Sequence, residues 1–342
     1  MRRIGNLFQR IADRDNLRLA FGKAVRGKRH RPEVRRFAAD LEARLRSIGN
    51  QLQSGKTLVG EFHQFVIHDP KERVITAPCF SARILHHAIM NVCEPVFERW
   101  LIDDTFACRA ARGREAALRR ALHFSHGAPY FLKLDIRKYF DSVPHENLLR
   151  RLERLFKDRR LLELFARIVR GFRPEIGRGL PIGSLTSQHF ANFYLGWFDR
   201  FAKETLRIRG YVRYMDDMLV WAATSKELQA VLIACRQFLR DELGLELKLN
   251  SHLNRSSHGV DFLGCRVFPT HLVLNRRSRV RFGRKFAALE RMSSKELIAD
   301  AALQAQSAAL VAFAKAAGAS SWHFRRGVVE RLSVSGHKAR TG

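Results

Sequence analysis

The sequence predicts an α+β fold, in which short strands and helices intermix without the regular strand–helix–strand alternation of a parallel sheet. The chain has 342 residues, of which 46% are hydrophobic and 25 are Phe, so global disorder is excluded and a sizeable core is expected. Strand-like apolar runs recur through the middle of the chain. Helical periodicity dominates its two ends, and no internal repeat is visible.

The predicted elements follow from two patterns. Helices are assigned where apolar residues recur every three to four positions, and strands where branched and aromatic residues cluster between turn residues. In chain order they are a helix over 33–53, strands over 63–67 and 73–75, a helix over 81–100 interrupted at Pro95, a strand over 130–136, helices over 142–156 and 184–206, a hairpin over 210–222, a helix over 226–243, strands over 245–250, 260–268 and 271–275, and a basic helical remainder.

The charge of the chain predicts a polyanionic partner. Lys and Arg number 62 against 33 Asp and Glu, which gives a formal net charge of +29. The excess is concentrated at the ends, because residues 1–60 hold 15 basic and 5 acidic residues and residues 271–342 hold 14 and 4. Basic flanks neutralise phosphates and release counterions, so a nucleic acid is the expected partner.

Other features of the composition exclude several classes of protein. The five cysteines show no CxxC spacing, so neither a disulfide scaffold nor a structural zinc site is expected, and free thiols suit the cytoplasm. The first residues lack the apolar run of a signal peptide. The longest uncharged stretch, residues 179–198, contains polar side chains that are costly in lipid, so we expect no membrane association.

Two acidic sites stand out because each adjoins an apolar strand. Asp135 ends the run YFLKLD, and the pair Asp216–Asp217 lies between the two apolar arms of the predicted hairpin. Such a carboxylate is costly unless it is paired or binds a cation. On neighbouring strands, the three would offer oxygen ligands suited to Mg²⁺, and a pair of such ions serves in-line phosphoryl transfer. An ordinary solvated Asp–Asp turn is the alternative that spacing leaves open.

Four motifs, spread in order over about residues 61–275, resemble the conserved blocks of reverse transcriptases. They are DPKERVITAP at 69–78, FLKLDIRKYFDSV at 131–143, YMDD at 214–217 and FLG at 262–264. The resemblance implies a right-hand polymerase with fingers, a palm that contains a small antiparallel sheet, and a helical thumb. The expected division is a basic N-terminal extension over 1–60, fingers and palm over 61–270, and a basic thumb over 271–342.

The same resemblance implies a role for each motif residue. Asp135, Asp216 and Asp217 would bind two Mg²⁺ ions, for which Mn²⁺ is a substitute, with Asp135 and Asp216 as the principal ligands. The other implied roles are neutralisation of the dNTP triphosphate by Lys71 and Arg73, a steric gate against the ribose 2′-OH at Phe140, primer positioning by Leu263 and Gly264, and general acid catalysis of pyrophosphate release by Lys248.

The block IGSLTSQ at 182–188 resembles the [I/V/L]GxxxSQ form found in the reverse transcriptases of diversity-generating retroelements. Most retroelement enzymes carry Gln in the place of Ile182, where it can hydrogen-bond near the incoming nucleotide. The resemblance puts Ile182 and Gln188 in the dNTP site and implies low fidelity opposite template adenines. It also implies a template-repeat RNA, an RNA or DNA primer and a small basic accessory protein. Plain packing of Ile182 against the palm remains the alternative.

The expected activity is therefore RNA-directed DNA synthesis, error-prone at adenines. Another bacterial reverse transcriptase, retron-like or associated with defence, is the first alternative. The second is a catalytically silent RNA-binding scaffold, which would keep the basic flanks but would not need the acidic residues.

Overall fold

The computed structural model describes residues 2–56, 61–68, 72–172, 175–315, 317–318 and 320–338. Four N-terminal helices open the chain: α1 (Phe8–Ala12), α2 (Arg14–Ala24), α3 (Pro32–Ala38) and α4 (Leu41–Ser54). The single helix predicted over 33–53 is therefore wrong, because the chain turns at Ala39 and Asp40 between α3 and α4. Throughout the described ranges, every helix is too short or too polar to cross a membrane.

An antiparallel hairpin follows, formed by β1 (Phe62–His68) and β2 (Glu72–Pro78). It leads into α5 (Phe80–Trp100), which continues through Pro95, so the predicted interruption is wrong. Proline removes one backbone hydrogen bond from a helix, but tertiary packing can hold the helix together. Here α5 buries side chains on either side of Pro95, among them Cys93, Val96 and Phe97.

The central sheet has four antiparallel strands in the order β4-β5-β3-β6. The elements in this middle part of the chain are α6 (Arg114–Gly127), β3 (Tyr130–Asp135), α7 (Tyr139–Ser142), α8 (His145–Leu152), α9 (Arg159–Arg170), α10 (Leu185–Arg200), a π-helical turn (Phe201–Thr205), β4 (Gly210–Tyr214), β5 (Asp217–Ala222), α11 (Ser225–Leu243) and β6 (His252–Arg255). Sequence periodicity missed α6 and α9. It also misplaced the fourth strand at 245–250, where Leu247 forms an isolated bridge to Ile136.

The C-terminal part combines a small sheet with three helices. Its elements are β7 (Val260–Phe262), β8 (Cys265–Val267), β9 (Leu272–Leu274), α12 (Arg276–Ser294), α13 (Asp300–Lys315) and α14 (Ser320–Lys338). The single strand predicted over 260–268 is instead the β7–β8 hairpin, because Leu263 and Gly264 both adopt left-handed backbone angles and reverse the chain.

Side chains on the two faces of the central sheet enter two different cores. Leu132 and Leu134 point into a core that contains α1–α5 and α7–α11, whereas Phe131 points into a core formed with α6 and the C-terminal part. Because strand side chains alternate between faces, Lys133 and Asp135 lie on the same face as Phe131. The outer edge of β4 is covered as well, since Arg213 exchanges backbone hydrogen bonds with Asp104 and Phe106.

We expect acidification to destabilise the fold through His86. This side chain of α5 is 1% exposed, and its Nδ1 lies 2.9 Å from Ser184 Oγ. Burial lowers the pKa of His86 from 6.5 to about 3. As the pH falls below 6.5, the unfolded chain binds a proton there that the native chain does not, so the free energy of unfolding decreases by up to about 1.4 kcal/mol per pH unit.

Urea unfolding between neutral pH and about pH 5 measures this dependence. The variant His86→Gln lacks the titrating group, so its free energy of unfolding should depend less steeply on pH. An equal slope in the two proteins would contradict the assignment.

Candidate active site

The site begins at the turn between β4 and β5. Tyr214 pairs directly with Asp217, so Met215 and Asp216 form a two-residue turn. Met215 has a φ of 54°, while φ of Asp216 is not positive. This combination is typical of a type II′ hairpin turn, which usually has glycine in the first position. A methionine there is strained, and such strain persists only where surrounding contacts enforce it.

The neighbouring strand brings the third carboxylate to this turn. In the antiparallel pairing of β3 with β5, Asp135 lies directly opposite Asp217. Residues paired in this way have Cα atoms about 4.5–5.5 Å apart. The structure therefore brings Asp135 together with Asp216 and Asp217 at one end of the central sheet, as the sequence predicted.

The three carboxylates influence one another electrostatically. Burial raises the pKa of Asp217 to about 6; Lys133 counteracts this, and Asp135 and Asp216 raise it further. Burial is also the main cause that raises the pKa of Asp216. Asp135 adds to that increase, whereas Lys248 and Arg73 lower the pKa of Asp216. The site concentrates negative charge that a bound cation would stabilise.

Two lysines contact these carboxylates. Lys248 Nζ lies 2.5 Å from Asp135 Oδ2, and the backbone N–H of Lys248 donates to the carbonyl of Asp135 at 2.9 Å. Lys133 Nζ lies 3.0 Å from Asp217 Oδ1 and donates to the carbonyl of Asp261 at 2.7 Å. The sequence predicts Lys248 as a site residue but not Lys133. Lys133 lies two residues before Asp135 and therefore on the same face of β3, and this spacing is the signal that could have identified it.

The donor atoms fit a hard divalent cation. Carboxylate oxygens are the ligands that Mg²⁺ prefers, and Asp135 Oδ1 is shielded from solvent without a hydrogen-bond partner among the described residues. As the side chains are arranged among the described residues, no group of three or more His, Cys, Asp or Glu could hold a metal ion. Lys133 and Lys248 each contact one carboxylate, so binding a cation at those oxygens requires these ion pairs to rearrange.

The described residues that were predicted to bind the nucleotide lie on separate elements of the fold. Arg73, on β2, is exposed and close enough to Asp216 to lower its pKa. Phe140 is half-buried in α7 against Tyr139, with ring centroids 5.8 Å apart. Gln188 is half-buried in the first turn of α10, with its Oε1 3.9 Å from the sulfur of Cys108. Lys71 lies outside the described residues.

The segment at Ile182 supports the β1–β2 hairpin. The carbonyl of Ile182 accepts a hydrogen bond from the backbone N–H of Thr76 at 2.7 Å. Gly183, with a φ of 116°, lies so close to β2 that a Cβ atom there would be 2.8 Å from Cγ2 of Ile75. Ile182 is itself half-buried. The block that contains Ile182 and Gly183 therefore seats the hairpin that carries Arg73.

The turn at Leu263 and Gly264 is held between α6 and the C-terminal helices. Arg114 Nε donates to the carbonyl of Leu263 at 2.8 Å, and its guanidinium lies 4.0 Å from the centre of the Phe313 ring. A Cβ atom at Gly264 would lie 2.8 Å from Ser278 Oγ. Arg114 was not identified from the sequence, in which it is one basic residue among many.

A cleft of about 960 Å³ lies beside the Leu263–Gly264 turn and reaches one of the three carboxylates. Leu263, Gly264 and Asp217 line it, and so does His68 of the β1–β2 hairpin. Basic side chains of α12 line it as well, namely Arg276, Arg277, Arg281, Arg284 and Lys285. A polyanion in this cleft would therefore lie among five basic residues of α12 and close to Asp217.

Comparison with known proteins identifies similar sequences. The sequence profile described as "Reverse transcriptase (RNA-dependent DNA polymerase)" matches residues 68–267, more than half of the chain. The protein YkfC of Escherichia coli is 24% identical over 252 residues, which cover 61% of this chain and 65% of YkfC. Nuclear intron maturase 4 of Arabidopsis thaliana is 30% identical over 171 residues, which cover 47% of this chain and 21% of the maturase.

Similarity extends to another intron-encoded protein and to a solved structure. The group II intron-encoded protein LtrA of Lactococcus lactis is 26% identical over 137 residues, 38% of this chain and 23% of LtrA. This chain thus spans less than two thirds of the length of each of these relatives. The structure of apo telomerase from Candida tropicalis superposes with a TM-score of 0.50 at 11% identity, over 84% of this chain and 64% of that one. This likeness concerns the fold and confirms the predicted α+β right-hand polymerase class.

We expect Gly183→Ala to loosen the β1–β2 hairpin. Both a positive φ and the approach of Ile75 oppose a side chain at this position. Gly177→Ala is a matched control, because Gly177 has a φ of 75° but no atom within 4 Å of the added methyl. Backbone strain alone should cost about 1 kcal/mol in the control, and overpacking should add about 1–3 kcal/mol in Gly183→Ala.

Urea unfolding gives the two stabilities, and hydrogen exchange of residues 72–78 reports on the hairpin. Equal stability loss and equal protection of β2 in the two variants would show that the contact with Ile75 does not hold the hairpin.

Proposed function

Because this chain belongs to the reverse transcriptase family, we propose that it is an RNA-directed DNA polymerase. The observation that carries the proposal is the convergence of Asp135 with Asp216 and Asp217 at one end of the central sheet, where Asp217 lines a cleft that is also lined by the basic side chains of α12. In this proposal the cleft takes an RNA template paired with its primer. The primer 3′-OH then attacks the α-phosphate of a dNTP beside the acidic turn.

We propose that the carboxylates hold two Mg²⁺ ions, with Mn²⁺ as a substitute. Asp135 and Asp216 are the principal ligands in this assignment, and Asp217 is the third carboxylate. When bound, such ions lower the pKa of the attacking hydroxyl and stabilise the charge on the leaving oxygens. Lys248 is the proposed proton donor to the leaving pyrophosphate, and its contact with Asp135 places it next to a proposed metal ligand.

The remaining predicted residues keep their assigned roles as proposals. Arg73 and Lys71 neutralise the triphosphate, for which a guanidinium offers paired hydrogen bonds. Phe140 acts as the steric gate that excludes the 2′-OH. Leu263 and Gly264 position the primer, supported by the contact of Arg114 with their turn.

The division of the chain follows the same scheme. Residues 61–270 form fingers and palm, residues 271–342 form the thumb, and residues 1–60 form a basic N-terminal extension. The basic side chains that α12 contributes to the cleft beside Asp217 support the thumb assignment. The N-terminal helices contribute Leu17, Leu45 and Ile48 to the same core as the central sheet, so the extension packs as part of the polymerase body.

We propose further that the enzyme serves a diversity-generating retroelement. It would copy a template-repeat RNA into adenine-mutated cDNA, in the cytoplasm and with a small basic accessory protein. Support comes from the IGSLTSQ block, in which the aliphatic residue Ile182 contacts, through its backbone carbonyl, the hairpin that carries Arg73. Loss of a polar contact there weakens discrimination if correct pairs lose more binding energy than mismatched pairs.

The second candidate is a reverse transcriptase of another bacterial type. The retron-like and defence-associated enzymes considered from the sequence belong here, and the intron-related names of the relatives favour an intron type. These intron-related proteins are matched over 21–23% of their length, so the similarity concerns part of each protein. Errors concentrated at template adenines would distinguish the diversity-generating retroelement hypothesis from these alternatives.

Asp216→Asn should abolish most primer extension on an RNA template with dNTPs and Mg²⁺. Loss of one charged ligand at the reacting centre is expected to reduce the rate by about two to three orders of magnitude. Asp241→Asn is the matched control, because Asp241 is an exposed side chain of α11 paired with Arg240. A wild-type chain that extends no primer, together with an Asp216→Asn variant that binds RNA as tightly as the wild type, would indicate the silent RNA-binding scaffold instead.

Ile182→Gln should raise fidelity opposite template adenines. One regained hydrogen bond, worth about 0.5–1.5 kcal/mol, predicts about a two- to tenfold drop in misincorporation at those positions. Sequencing of cDNA made on a defined RNA measures the error rate at each base. Ile176→Gln is the control, because Ile176 is 96% exposed. Uniform wild-type errors at all four template bases would contradict the retroelement assignment.

A further inference from the structure

A fully buried ion pair lies directly behind the acidic turn. Arg213, on β4, and Asp199, on α10, are both 0% exposed. Arg213 Nε lies 2.6 Å from Asp199 Oδ1, and Arg213 Nη2 lies 2.6 Å from Asp199 Oδ2. Because removing two charges from water is costly, such a pair persists only when its remaining hydrogen-bonding groups are satisfied.

The carboxylate of this pair is fully engaged. Tyr211 donates to Asp199 Oδ1 at 2.7 Å, and Thr105 donates to Asp199 Oδ2 at 2.7 Å. Each oxygen therefore accepts one bond from the guanidinium and one from a hydroxyl. Through these two parallel contacts Asp199 anchors Arg213 in a single orientation.

The remaining donors of Arg213 reach the turn and α10. Nη1 donates to Met215 O at 3.1 Å and to Asn192 Oδ1 at 2.8 Å. Nη2 donates to the carbonyl of Asn192 at 3.0 Å. Met215 is the strained residue of the turn, with its φ of 54°. The hydrogen bond from Arg213 to the carbonyl of Met215 opposes relaxation of the strained Met215–Asp216 turn.

The faces of the sheet explain why this contact matters. Asp217 and Asp135 lie on the face of the central sheet that meets the cleft, whereas Arg213 lies on the opposite face, against α10. Arg213 therefore cannot contact a substrate in the cleft. It can act on the chemistry only through the backbone of the turn.

We propose that Arg213 is a positioning residue that fixes the Met215 peptide and so the placement of Asp216 as a metal ligand. Through Asn192 and Asp199, Arg213 also joins the Met215–Asp216 turn to α10. Gln188 lies at the N-terminal end of this helix. A well-packed apolar pair could replace a buried ion pair at little cost in stability, but it could not bind a carboxylate, an amide and a carbonyl at once. The inference rests on the proposed function, since positioning Asp216 matters only if Asp216 binds a metal.

The test compares Arg213→Lys with Tyr211→Phe in the full chain. Lysine keeps the charge but has no planar fork, so it cannot hold both Asp199 and the Met215 carbonyl. Tyr211→Phe removes one hydrogen bond from Asp199 and leaves the contacts of Arg213 with the turn intact. Mn²⁺ binding is measured by electron paramagnetic resonance, and primer extension is separated into kcat and the KM for primer–template.

For Arg213→Lys we expect Mn²⁺ binding weaker by about tenfold or more, with a similar fall in kcat and a nearly unchanged KM. Tyr211→Phe should lower the melting temperature while Mn²⁺ affinity stays within about twofold. Asn192→Ala, which removes one acceptor of Nη1 and keeps the ion pair, is the second variant if Arg213→Lys does not fold. It should weaken Mn²⁺ binding by about three- to tenfold.

The outcomes separate this inference from the proposed function. Wild-type Mn²⁺ affinity in folded Arg213→Lys, or in Asn192→Ala where the lysine variant does not fold, would overturn the positioning role. If the Mn²⁺ spectra of the wild type and of Asp216→Asn are identical, Asp216 binds no Mn²⁺. That result would overturn the metal site and the positioning role together.

Discussion

The pairing register between β3 and β5 is the constraint on which the candidate site depends. It sets Asp135 opposite Asp217, although the two residues are far apart in the sequence. A shift by one residue would turn Asp135 to the other face of the sheet and separate the acidic groups. The register is held by apolar side chains that enter two different cores, Phe131 on one face and Leu132 and Leu134 on the other. The geometry of the acidic centre is therefore a consequence of core packing.

Concentrating three carboxylates costs free energy, and the surrounding cations offset part of that cost. Lys133 and Lys248 act on the cleft side through ion pairs with Asp217 and Asp135. Behind the sheet, Arg213 is neutralised by Asp199 and contributes hydrogen bonds to the backbone. The two lysines are partly exposed and can exchange partners, whereas the buried guanidinium is fixed. The site thus combines adjustable charges at the front with a rigid support behind them.

Much of this architecture could be predicted from the sequence because it depends on local patterns. The apolar arms around Met215 and Asp216 predicted the hairpin, and a strand ending in Asp135 predicted the second half of the acidic centre. What could not be predicted depends on tertiary contacts. Arg213 sits in an apolar arm, and its partner Asp199 belongs to another element, so nothing in the sequence identifies the pair. The same limit explains the strand placed at 245–250, where the alternating pattern is present but sheet pairing begins at His252.

The covered edge of β4 has a consequence for how the molecule behaves in solution. An open edge strand offers unpaired backbone groups on which a strand of another chain can add, and this is a common route to aggregation. Here the segment from Asp104 to Phe106 already uses the outward backbone groups of Arg213. Strand β4 is consequently closed to intermolecular strand addition at Arg213. The backbone of this residue blocks the edge, and its side chain supports the Met215–Asp216 turn.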